Sequence, residues 1–250
     1  MGKKIHLTLS ELRRALEVTL ITASADDTLP ILTAVHVVKN TTGVVMFEST
    51  DRCRLGRVMA KATGSTSVDA LIPVHAVKDM LWVIKKAQAQ WRRFGNKGIA
   101  VLDFTSEHVT LFAGGYADQY TLRALLTDGD FPKIGHIYEK FIEAQAEITA
   151  GTRTAKPFAG FNPGYLGDMA KIGSWSDPNL PIMVALGDNP GGPAMFYAGD
   201  WFLGALMPVR VEEPPKIDKD SLFTSDKDAL KAFEAEIAAI VSEAFSPIVK

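Results

Sequence analysis

The chain has 250 residues, 47% of them hydrophobic and 22% charged, which suits a globular protein with one large domain or two ordinary ones. Its 27 basic and 29 acidic residues give a formal charge of -2, excluding a protein that coats nucleic acid by bulk charge but not one with a local basic surface. The single cysteine, Cys53, excludes an intrachain disulfide, and no uninterrupted apolar run is long enough to span a membrane.

Residues 5–8 alternate apolar and polar, the period of a strand. Thr8-Leu9-Ser10-Glu11 fits a capping box, and Leu9, Leu12, Leu16 and Leu20 then recur at helical spacing, predicting a helix to about residue 22. Strand-like runs over 31–39 and 44–49 flank a hairpin signal at Asn40-Thr41-Thr42-Gly43, and a further strand is expected over 54–60. The pattern repeats: a strand over 69–72, a helix opening near Pro73 with Val77, Met80, Leu81 and Ile84 as its apolar stripe, then strands over 99–104, 108–112 and 119–125. A third copy reads as a strand over 158–161, a helix capped by Asn162 with Pro163 in its first turn, and strands over 182–186, 194–197 and 201–209. Tyr165, Leu166, Met169 and Ile172 are expected to form the buried side of that helix.

A strand–helix–strands unit occurring three times is internal repetition at supersecondary scale. Neither a single helix nor a strip of sheet can bury its apolar face alone, so the units should pair into two-layer α+β domains with helices on one face of antiparallel sheets. The expected organisation is a complete domain over 1–133, a shortened one over 134–211, and a linker with an added segment over 212–250. In that segment Ser225 suits a helix cap, and Leu230, Phe233, Ile237, Ile240, Val241 and Ala244 form an apolar stripe. Such a helix would replace the missing mate of the third unit or dock another subunit.

Several short motifs, in order, resemble the bacterial DNA polymerase III beta sliding-clamp family. Thr50-Asp51-Arg52-Cys53-Arg54-Leu55 resembles its T-D-x-x-R-L segment, and Leu29-Pro30-Ile31-Leu32 its L-P-I-L entry to the first sheet. Leu71-Ile72-Pro73 is similar to an I-V-P helix entry, and Asp128-Gly129-Asp130-Phe131-Pro132 to a domain-ending D-G-x-F-P. Phe161-Asn162-Pro163-Gly164-Tyr165-Leu166 and Leu206-Met207-Pro208-Val209-Arg210-Val211 resemble an F-N-x-x-Y-L helix start and a terminal M-P-x-R-L. The resemblance implies a DNA-clamp fold and a processivity factor that encircles duplex DNA as a homo-oligomeric ring. It also implies capture of polymerase peptides by Leu32, Thr50, Arg54, Leu55, Pro132, Ile137, Met207 and Val209. Arg52 and Cys53 replace smaller or imidazole-bearing residues common in the family, and the chain has room for one and a half of its three domains.

Candidate DNA-facing residues are Lys78, Lys85 and Arg92, which recur every seven residues on the second helix, with Lys86 and Arg93 beside them. Arg13 and Arg14 on the first helix and Lys171 on the third complete the set. Cations so placed meet phosphates without reading bases. The alternative is an ordinary solvated helix face and a clamp-like interaction module that never closes a ring. Catalysis is not expected: His6, His36, His75, His108 and His136 have no metal-ligand spacing, and Cys53 has no evident base. No cofactor is implied. The basic N-terminal residues lead into no apolar signal-peptide core, so the expected location is cytoplasmic.

Overall fold

A computed structural model of the protein describes residues 2–40, 43–65, 67–92, 98–114, 119–154, 158–175, 181–188 and 192–210. The proposed helix after Ser225 and the candidate Arg93 lie outside these residues. The first unit consists of β1 (Lys3–Thr8), α1 (Leu9–Thr22), β2 (Ala34–Lys39), β3 (Gly43–Thr50) and β4 (Arg54–Gly64). The second contains β5 (Val68–Pro73), α2 (Val74–Arg92), β6 (Ile99–Phe104), β7 (His108–Gly114) and β8 (Gln119–Leu125). After α3 (Gly135–Thr149), the third unit supplies α4 (Pro163–Gly173), β9 (Met183–Ala185), β10 (Ala194–Ala198) and β11 (Phe202–Leu206).

All the strand pairs are antiparallel, in the order β5-β2-β3-β4-β1-β6-β7-β8. β4 is the branch point. Along one edge it pairs with β3; along the other, Arg54 to Val58 pair with β11, and Thr63 and Gly64 pair with β1. β10 and β9 continue outward from β11. The expected domain boundary near residue 133 is therefore bridged by a backbone ladder, and Met1–Arg210 is one compact unit.

α1 and α2 lie side by side on one face of this sheet, with Leu9, Leu12, Leu16, Val77, Met80 and Ile84 buried between helix and strand. Each such side chain contributes roughly 1.5–3 kcal/mol of transfer free energy. Strand periodicity then divides β4: Val58, Ala60 and Ala62 join this core, whereas Leu55 joins a second, smaller one on the other face. That second core, completed by Ile134, Tyr138, Phe141, Met195 and Ala205, exists because α3 packs across the outer side of the β4–β11–β10 seam.

Several local expectations need correction. Residues 31–33 are turn, held by Leu32 and Thr33 N–H groups donating to the Leu29 carbonyl, so β2 begins at Ala34. Residues 158–161 form only a single bridge, Gly160 to Val209, and β11 ends at Leu206. Thr8 caps α1 by accepting from Glu11 N–H at 3.1 Å, but the Glu11 carboxylate accepts from Arg14 and from Lys61 N–H. Leu166, expected on the buried side of α4, is 42% exposed, while Met169 and Ile172 are buried.

Candidate peptide and nucleic-acid interfaces

The turn between β3 and β4 is built by the side chains of its own motif. Thr50 Oγ1 accepts from Arg52 N–H and donates to the Arg54 carbonyl at 2.7 Å. Asp51 Oδ1 accepts from the N–H groups of Cys53 and Arg54, at 3.0 and 2.6 Å. These bonds hold Arg52 at φ 76°, a left-handed conformation costly for a residue with a Cβ. Arg54 then reaches out of the turn: Nε donates to Asp51 at 2.8 Å, Nη1 to Asp168 at 2.7 Å, and the guanidinium lies 4.2 Å from the centre of the Tyr165 ring. Asp168, held by Lys171 and then by Arg54, is more acidic than usual. The motif thus fastens β4 to α4.

This geometry does not bring the predicted peptide-contacting residues into one open groove. Arg54 points to the α4 side, whereas Leu55, 5% exposed, lies beneath α3 on the opposite face. Thr50 and Leu32 are also buried, and Thr50 is occupied by the turn. Pro132 is exposed and Ile137 half-buried at the start of α3. Met207 and Val209 are 41% and 49% exposed beyond the end of β11, where Met207 N–H donates to the Cys53 carbonyl at 2.8 Å. This bond sets the Met207 segment beside the Thr50–Leu55 stretch, with Cys53 exposed at the junction.

The outer face carries a polar cluster that sequence reasoning missed. His36 lies between Glu48 at 3.0 Å and Asp69 at 2.9 Å, and the Phe131 ring stacks on it at 4.7 Å. Arg57 donates to the other Glu48 oxygen at 2.6 Å and lies 4.4 Å from the Tyr138 ring centre. Burial opposes the imidazolium, but the two carboxylates outweigh it and raise the His36 pKa above 6.5. Burial likewise pushes Glu48 up, yet His36 and Arg57 bring it below its ordinary value. The Tyr138 phenol is pushed up by burial. Spacing within a strand pair was the available signal, since His36 and Glu48 are direct cross-strand partners.

On the helical face α1, α2 and the turn that follows α4 converge on one carboxylate. Glu17 accepts from Arg13 at 3.1 Å and Trp175 Nε1 at 2.9 Å, and pairs with Lys85 at 2.9 Å. Burial alone would raise the Glu17 pKa, but Lys85 and Arg13 lower it. Arg13 also donates to Gln88 and lies over Trp175. Arg14 is half-buried, paired with Glu11 at 2.8 Å and lying 4.7 Å over the Trp201 ring, so it is not a free phosphate ligand. Lys171 is paired with Asp168. Lys78, Lys86 and Arg92 are exposed along α2, Lys86 lying 3.7 Å from the centre of the Trp82 ring.

No model of a known protein family and no curated protein matches this sequence. Solved structures do. The DNA polymerase III beta subunit of Thermotoga maritima superposes with a TM-score of 0.61 at 14% identity, over 84% of this chain and 66% of its own. The Pseudomonas aeruginosa sliding clamp with a ligand gives 0.63 at 15% identity, over 84% and 67%. The Bartonella birtlesii clamp bound to griselimycin gives 0.62 at 18% identity over the same shares. This chain thus spans about two thirds of the length of the clamps it matches. At these identities the likeness is one of architecture: the protein has the fold of the bacterial DNA polymerase III beta sliding clamps over the part of them that it matches.

Proposed function

We propose that this protein is a clamp-type, non-catalytic processivity factor that tethers a polymerase to duplex DNA. The observation that carries the reading is the gathering of α1, α2 and α4 on one face of a sheet running unbroken from the first unit into the third through β4 and β11. Helices lining a hole inside an outer wall of sheet would hold DNA topologically, with Lys78, Lys85, Lys86 and Arg92 meeting phosphates irrespective of sequence. Arg13 and Lys85 already share Glu17, and Lys171 is paired with Asp168, so their grip on phosphate would be weak, which favours sliding over fixed binding. Residues 134–211 would be a shortened second clamp domain. One and a half domains cannot enclose a duplex, so closure needs several copies, as a trimer or a tetramer. Partner peptides would dock against Met207 and Val209, with Pro132 and Ile137 at the rim of α3. A role in replication would place the protein in the cytoplasm. No described helix is long and apolar enough to cross a membrane.

Light scattering at several concentrations, with linear and circular duplex DNA, tests the ring. A trimer or tetramer retained on circular DNA and released when the circle is cut is the expected result. A monomer never retained on circles would refute it. A second reading, an adaptor that binds clamp-binding peptides without encircling DNA, is favoured by the pairing of Arg13, Arg14, Lys85 and Lys171 with carboxylates. For that reading, peptide affinity lost in Met207→Ala together with a monomeric mass is the expected outcome.

A further inference from the structure

Trp82 is the one aromatic residue among the exposed large hydrophobic side chains of the described residues, at 60% exposure. Its helix does not need it there: α2 buries Val77, Met80, Leu81 and Ile84 on the other side. At 100° per residue, Lys78, Trp82, Lys85, Lys86 and Arg92 fall on one stripe of α2. Lys86 Nζ lies 3.7 Å from the ring centroid and so covers one face of the indole. Lys85 is shared with Glu17, and Asp79 is the carboxylate that borders the stripe. Lys78 and Arg92 are exposed and form no ion pair among the described residues.

We infer that this stripe is a binding site for single-stranded DNA, with an unstacked base lying on Trp82 and the flanking cations following the phosphates. Charge identifies the class of ligand, and the indole identifies its state. In a duplex the faces of the bases are already covered by one another, so a flat ring on a helix finds only their edges. In a single strand each base offers a free face, and stacking on an aromatic side chain is tolerant of sequence. Lys86 over the opposite face of the ring adds a cation–π contact to the stack. The inference rests on the reading that the helical face meets nucleic acid, and adds that it holds unpaired template as well as duplex.

The test uses the full chain and an oligothymidylate of about 12 nucleotides, within the usual span of such sites. Binding should quench tryptophan fluorescence. Trp82→Ala should weaken it by about 5- to 150-fold, the range for loss of one stacked base, while Trp82→Phe retains most of the affinity. Lys78→Ala with Lys86→Ala should lower the salt dependence of binding. Unchanged affinity in Trp82→Ala, equal losses in Ala and Phe variants, or no binding of oligothymidylate would each overturn the inference. Trp82-dependent self-association without DNA would assign the ring to a contact between copies and overturn it too. Retention on circular duplex without oligothymidylate binding sinks this site and leaves the clamp reading. Trp82-dependent strand binding without retention on circles does the reverse.

Discussion

Replacing Leu55 by alanine separates two meanings of the same motif. If the leucine lined an open peptide groove, truncation would leave stability within about 0.5 kcal/mol, as surface changes do. The structure buries it among Ile134, Tyr138, Phe141, Met195 and Ala205. Removing three carbons of a buried leucine costs about 2.4 kcal/mol in transfer free energy at ~0.8 kcal/mol each. A cavity that α3 fails to fill raises the loss within the observed range of about 2–5 kcal/mol. For a unit of this size each kcal/mol lowers Tm by about 2–4 °C, so a fall of roughly 5–10 °C or more is expected. Urea unfolding followed by tryptophan fluorescence should give a lower midpoint at unchanged slope. Met207→Ala, with its side chain exposed, is the control and should change stability by less than about 0.5 kcal/mol. A Leu55→Ala midpoint shift as small as the control's would refute the placement of α3 over this leucine.

Three further outcomes are expected. Gly56→Ala should destabilise by about 1–3 kcal/mol, because a methyl group there would meet the Thr22 hydroxyl where α1 presses on β4, and chemical denaturation measures it. Asp51→Ala removes the acceptor for two turn N–H groups and one partner of Arg54, costing about 1–3 kcal/mol; an unchanged unfolding midpoint would contradict the turn geometry. His36 contributes stability that is complete below pH 6.5 and lost as pH rises through its raised folded-state pKa, because the native state then holds a proton that the unfolded state has released. Glu48 has the opposite sign: its contribution is present above pH 4.5 and lost as pH falls through its lowered value. Stability measured against pH should fall just above 6.5 in the parent and not in His36→Gln. Around this imidazole the facing groups are Glu48 and Asp69, with Arg57 bound to Glu48 and Asp130 and Lys133 along the same cavity.

The helices that announce themselves in the sequence do so through local chemistry. Thr8 and Asn162 bond the N–H groups of the first turns of α1 and α4, and both positions are readable from residue type alone. α3 escapes notice for the converse reason. Ile134 precedes it with no side-chain cap, although Tyr138, Phe141 and Ala144 have helical spacing. The Thr50-Asp51-Arg54 turn is legible as a motif but not as an anchor, because the second carboxylate on Arg54 is Asp168, 114 residues away.

By itself the sequence determined the repeated unit, the antiparallel strands and the apolar stripes of α1 and α2, since periodicity decides which residues share a face. Tertiary structure alone decided what covers each face. Arg54 and Leu55 are neighbours in the chain, yet strand alternation sends one to α4 and the other under α3. The same step decided which cations remain available: Arg14 lies over Trp201 beside Glu11, while Lys78 and Arg92 stand exposed around Trp82. A pattern of residue types fixes the direction of a side chain, but its partner comes from packing between segments far apart in the chain.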